Sequence, residues 1–209
     1  SHHQVSRMPS SACSSDLILL VQRLVNSFGP ITMAAFAAAV KIDTFAYLPV
    51  QDFGNAFSTY VAQNYGANHT RRLRKGVRSA LLITSIFSLV LSLLVVLNAE
   101  ALMKIFVHEE EMAVIASGVH YLRIEGAFYI GIGWLFLLYG FYRAVNRPGI
   151  SVVLTLISLG LRVILAYALA PVLGETGIWM AIPIGWFLAD TAGFIYYLRN
   201  RTSLLNPES

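Results

Sequence analysis

Residues 31–67, ITMAAFAAAVKIDTFAYLPVQDFGNAFSTYVAQNYGA, decide how the chain is read. The run is apolar enough to enter a bilayer, and longer than the roughly 20 residues a spanning helix needs. Within it stand Lys41, Asp43, Gln51, Asp52, Asn55, Thr59, Gln63 and Asn64. A charge at membrane depth costs roughly 2.5–3.5 kcal/mol on insertion scales, so a lipid-facing helix would not keep such residues. They must face protein or a water-filled cavity, which makes a solute pathway the first reading. At about 100° per residue, Lys41, Thr44, Asp52, Asn55, Thr59 and Gln63 fall within about 60° of one direction. Asp43 projects from the opposite face and needs a different partner. Pro49 and Gly54 mark the middle as the place for a bend.

Composition supports the membrane reading. The chain has 209 residues, 56% hydrophobic and only 12% charged, with mean hydropathy +0.64; soluble domains carry about 25% charged residues. Further apolar segments lie at 78–98, 113–144, 148–171 and 177–198. A shorter one, 17–28, gives only about 18 Å of helix. Residues 1–16, SHHQVSRMPSSACSSD, read as an irregular polar leader without the apolar core of a signal peptide. Gly29-Pro30 turns the chain into the long helix. The expectation is an all-α polytopic membrane protein: a six-helix lobe over 17–200 (17–28, 31–66, 78–98, 113–144, 148–171, 177–198) and a tail over 201–209. Cys13 is the single cysteine, which leaves no internal disulfide and no metal-ligand set.

Charge placement sets the topology. The net charge of +4 comes in short clusters between apolar runs, a membrane pattern and not a nucleic-acid one. Arg71, Arg72, Arg74, Lys75 and Arg78 mark one connection as cytoplasmic, and Glu100, Glu109, Glu110 and Glu111 make the next external. Arg143 and Arg147 return inside, 171–177 has no basic residue and lies outside, and Arg199 and Arg201 close inside. Both termini are then cytoplasmic in a multi-pass protein of the cell membrane, with membrane lipid as constant partner.

Depth adds a second pattern. Counted at about 1.5 Å per residue, Lys41, Asp43, Arg123, Glu125 and Arg162 lie roughly 13–18 Å from the external end of their helices, one layer near the midplane. Intramembrane charges usually pair, so Lys41 or Arg162 with Glu125, and Arg123 with Asp43, are candidate pairs. Asp190 lies deep in the last helix without an obvious basic partner, and Asp52 lies near the inner side. Such pairs can merely fix packing; alternatively Glu125, Asp43 or Asp52 binds a proton or cation coupled to helix rearrangement. Tyr129, Trp134 and Tyr139 either line an apolar pocket for aromatic cations or pack as ordinary helix residues. H-E-x-x-H, G-x-S-x-G and P-loop motifs are absent, so no enzyme is expected.

Three stretches carry a family resemblance. LVNSFGPITMAAFAAAVKIDTFAYLPVQDFGNAFSTYVAQNYGA with its basic loop, YLRIEGAFY…YGFYRAVNRPGIS, and GIWMAIPIGWFLAD resemble the C-terminal lobe of MATE (multidrug and toxic compound extrusion) transporters. The resemblance implies one lobe, helices seven to twelve, of a twelve-helix exporter. Such exporters move cationic or amphipathic small molecules outward against inward H+ or Na+ flow, with no other cofactor. Some members carry carboxylates in the seventh and tenth helices. Residues 17–28 hold none, while Glu125 falls on the tenth-helix equivalent. The missing N-terminal lobe, or a second copy, is the implied partner. Alternatives are a truncated non-transporting product, a lobe needing a partner, or a lipid or polysaccharide flippase of the same superfamily. A flippase calls for a more basic cavity than Lys41, Arg123 and Arg162 supply.

Overall fold

A computed structural model describes residues 9–205. Eight helices follow in order: α1 Pro9–Ser27, α2 Pro30–Gly66, α3 Thr70–Leu97, α4 Ala99–Phe106, α5 Met112–Gly126, α6 Tyr129–Ala144, α7 Pro148–Leu173 and α8 Glu175–Leu205. The described residues hold no strand, as expected where lipid leaves backbone polar groups no partner outside the helix. Pro30 and Pro148 open α2 and α7 at the position where a missing N–H costs nothing. Gly29, at φ 99°, provides the turn ahead of α2. α2 runs unbroken through Pro49.

Several boundaries differ from the sequence reading. α1 begins at Pro9, so residues 9–16 are helical and not an irregular leader; a proline start and the small residues that follow let the apolar run extend backwards. Residues 1–8 lie outside the described part. The basic run Arg71–Arg78 forms the first turns of α3, since Arg and Lys are good helix formers. Where an acidic loop was expected, Glu100 and Lys104 pair at 3.2 Å, i to i+4, on the short helix α4. The expected single helix over 113–144 is broken between Gly126 and Tyr129, where α5 and α6 meet at 54°. α8 continues past 198 to Leu205, and Leu204 and Leu205 are buried; residues 206–209 lie outside the description.

Helices α2, α3, α7 and α8 are each long and apolar enough to cross a membrane, and the bent α5–α6 pair passes the same test when its two helices are taken together. α1 is not among them. α7 and α8 pack most extensively on each other, α2 lies along α5 and α6, α6 also touches α3 and α8, and α1 reaches α7. The α2–α6 crossing is close because Gly54 faces Gly140. A Cβ on Gly140 would stand 2.8 Å from the Gly54 carbonyl oxygen, and Ser58 Oγ donates to the Gly140 carbonyl at 2.8 Å. This approach fixes which face of α2 is buried and which is left open.

Candidate ion-coupling site and solute face

The buried face of α2 carries Asp43, 1% exposed. Two tyrosine hydroxyls donate to it, Tyr121 to Oδ2 at 2.7 Å and Tyr129 to Oδ1 at 2.5 Å. Tyr121 stands on α5 and Tyr129 on α6, so the carboxyl bridges the two sides of the break. Glu125, also buried, is one turn from Tyr121 on the same face of α5 and interacts with both Asp43 and Tyr121. Its Oε2 is buried without a partner. Tyr47, one turn from Asp43, stands edge-on to Tyr129 with ring centroids 6.3 Å apart. The result is a buried pair of neighbouring carboxyls, Asp43 held by two tyrosine hydroxyls and Glu125 within its electrostatic range, an arrangement able to share a proton or accept one small cation.

The expected ion pairs do not form. Arg123 is exposed and lines a separate pocket with Glu100, Lys104 and Glu109. Two residues from Glu125, it points about 200° away around the helix, so it cannot reach Asp43. Arg162 lies within electrostatic range of Asp43 and Glu125 without pairing with either, and its Nε is buried and unbonded. Lys41 is exposed. Among the described residues the one ion pair is Lys104–Glu100, outside this cluster. Asp190 on α8 is 2% exposed, with neither carboxyl oxygen bonded, and it does not join the cluster. Asp52 is exposed on the far face of α2, about 13 Å further along the axis than Asp43.

The opposite face of α2 is open and mixed: Lys41, Thr44, Gln51, Asp52, Asn55, Thr59 and Gln63 are exposed, with Phe45 and Leu48 exposed among them. Thr44 and Thr59 satisfy their hydroxyls on the carbonyls of Val40 and Asn55, at 2.8 and 3.3 Å. The three aromatics of α6 part company. Tyr129 serves Asp43. Trp134 donates to Ser85 Oγ at 2.9 Å and packs on Phe187 and Phe194. Tyr139 lines an open pocket between α2, α6 and α7.

Two features escaped the sequence reading. Tyr121 could have been found from its spacing, four residues before Glu125. Glu175, first residue of α8, accepts from Thr32 Oγ1 at 2.7 Å and from Ser117 Oγ at 3.0 Å, tying together α2, α5 and α8. His120 Nε2 meets Thr176 Oγ1 at 3.0 Å beside it.

The MatE family model matches residues 10–168. The probable multidrug resistance protein YpnP of Bacillus subtilis (strain 168) is 28% identical over 185 residues, 88% of this chain and 41% of the relative. The FAD transporter of Shewanella oneidensis is 25% identical over 170 residues, 81% of this chain and 37% of the relative. The Vibrio cholerae MATE transporter VcmN in its bent form superposes with TM-score 0.85 at 20% identity, covering 93% of this chain and 44% of that one. The chain thus spans about two fifths of the length of the curated relatives it matches.

Proposed function

The chain belongs to the MatE family, and we propose that it acts as one lobe of an H+- or Na+-coupled exporter of cationic or amphipathic small molecules in the cell membrane. The observation that carries this reading is the buried Asp43–Glu125 pair with Tyr121 and Tyr129. A proton or sodium ion entering between the two buried carboxyls changes how strongly Asp43 holds the tyrosines on α5 and α6. An ion binding one arrangement better than the other shifts the population of conformers. The open polar face of α2 is the solute side, completed by a complementary lobe or a second copy, and transport proceeds by rocking of the lobes about the cleft. The charge pattern of the connections supports cytoplasmic termini.

The test is ethidium efflux from proteoliposomes containing this chain together with a complementary N-terminal lobe. An imposed inward H+ or Na+ gradient is expected to drive efflux, and Asp43→Asn and Glu125→Gln each to reduce the ion-driven rate at least about tenfold. Unchanged ion coupling in both variants would remove the proposed site. Efflux by the chain alone, as a monomer, would overturn the need for a second lobe.

A further inference from the structure

Away from the carboxyl pair, α2, α6 and α7 line an open pocket of about 350 Å³, at the small end of the size range of small-molecule sites. Its wall includes Gln51, Asn55, Phe136, Tyr139, Arg143 and Thr155, and Arg143 is the one charged residue lining it. The guanidinium is held in place. Its Nε donates to the Tyr139 carbonyl at 3.2 Å, and its Nη2 meets Asn55 Oδ1 at 3.5 Å. Ser151 Oγ on α7 donates to the same Tyr139 carbonyl at 3.1 Å. Arg143 makes no ion pair among the described residues, so most of its N–H fork is available to a ligand. Asp52 follows Gln51 and is exposed, but it is not part of the lining. Phe136 and Tyr139, three residues apart on α6, line the same wall.

A lone positive charge, amide and hydroxyl groups and two rings suit an aromatic molecule carrying an oxyanion, and repel a simple aromatic cation. We propose that this pocket binds the carboxylate end of amphipathic aromatic solutes, with the oxyanion on Arg143 and the ring against Phe136 and Tyr139. The carboxylate takes the fork in the bidentate geometry arginine favours. Asn55 is a positioning residue that orients the guanidinium. The proposal rests on the polar face of α2 being part of the solute path and assigns a preference to this pocket alone, not to the whole path: here anions and zwitterions are held, and a cation such as ethidium passes without binding at Arg143.

Fluorescein and rhodamine 6G share a xanthene ring and differ in charge, so they separate stacking from charge recognition. Their binding to the full chain in lipid nanodiscs is read by fluorescence anisotropy against protein-free nanodiscs. Fluorescein is expected to bind the chain above the lipid background. Arg143→Gln is expected to weaken fluorescein about tenfold, the scale of a lost charge-assisted hydrogen bond, and to leave rhodamine 6G unchanged or tighter. Asn55→Asp places a carboxylate against the guanidinium without deleting any contact atom, and is expected to act in the same direction. Fluorescein affinity unchanged in both variants overturns the proposal. So does wild-type binding no stronger than that of protein-free nanodiscs, or a parallel loss of both dyes in both variants, which shows no charge selectivity. Fluorescein binding without ion-driven ethidium efflux by the paired lobes would retire the exporter reading and leave the pocket standing. Efflux without fluorescein binding would do the reverse.

Discussion

Helices α2 and α3 pass the same test of length and apolarity, and their most apolar windows are buried to nearly the same extent, 33% and 28%. They differ in what they leave open. α3 exposes Leu82, Ile83, Ile86, Phe87, Leu89, Val90, Leu93 and Leu94, and turns Thr84, Ser88 and Ser92 inward. α2 exposes Lys41, Gln51, Asp52, Asn55, Thr59 and Gln63, and turns Asp43 inward. Two helices of one bundle therefore present different chemistry outward, an apolar face on α3 and a face on α2 where polar and charged groups stand among Phe45 and Leu48. Mean hydropathy already ranks them, 1.4 for the most apolar window of α2 against 2.8 for that of α3, and the chemistry of the open faces shows where the difference lies.

The largest effect should come from placing a charge on each face in turn. Leu89→Arg on α3 is expected to cost roughly 2.5–3.5 kcal/mol of membrane insertion, whereas Thr59→Arg on α2 should stay within about 1 kcal/mol. Glycosylation-tagged insertion into microsomes measures both, and equal losses would dissolve the contrast. The inward faces differ next. Tyr129→Phe deprives the buried Asp43 of a donor and should lower stability by about 1–3 kcal/mol. Ser88→Ala on α3 removes a hydroxyl that has no partner and should change stability by less than about 0.5 kcal/mol. Thermal unfolding in detergent distinguishes them, and an equal response would mean that Asp43 does not depend on its tyrosines. The smallest perturbation is a cysteine at Asn55 or at Val90 in a Cys13→Ser background. Asn55→Cys should react with a hydrophilic maleimide in proteoliposomes and Val90→Cys should not, with stability altered by less than about 0.5 kcal/mol in either. Labelling of Val90→Cys would place α3 against water.

The open stripe of α2 was legible because helical periodicity needs only spacing, and the common level of Asp43 and Glu125 followed from helical rise. Pairing was less legible, since it depends on direction as well as depth. Arg123 shares the level of Glu125 yet leaves the helix on another side. Tyr129 stands out in the sequence as a pocket-lining candidate but not as a partner of Asp43, and Tyr121 is hidden by its type, because an aromatic in an apolar run reads as packing until its hydroxyl is seen to have a partner. The break before Tyr129 has no proline to announce it, only Gly126. Glu175 was passed over as part of a connection, whereas it begins α8, where a negative charge meets the positive end of the helix dipole. What could be read depended on position along one helix, and what could not depended on which helices meet.

The break between α5 and α6 makes an elbow, and Asp43 grips both arms from a third helix. One oxygen holds Tyr121 above the joint and the other holds Tyr129 below it. A single carboxyl group thus spans the elbow like a caliper, alongside the packing of both arms on α2. A change at one oxygen alone acts as a torque about the joint, while a change at both loosens it evenly. Rotation of the carboxyl or displacement by a bound ion would thus turn a sub-ångström event into an angular movement of the whole lower arm of α6, the arm that carries Tyr139 and Arg143.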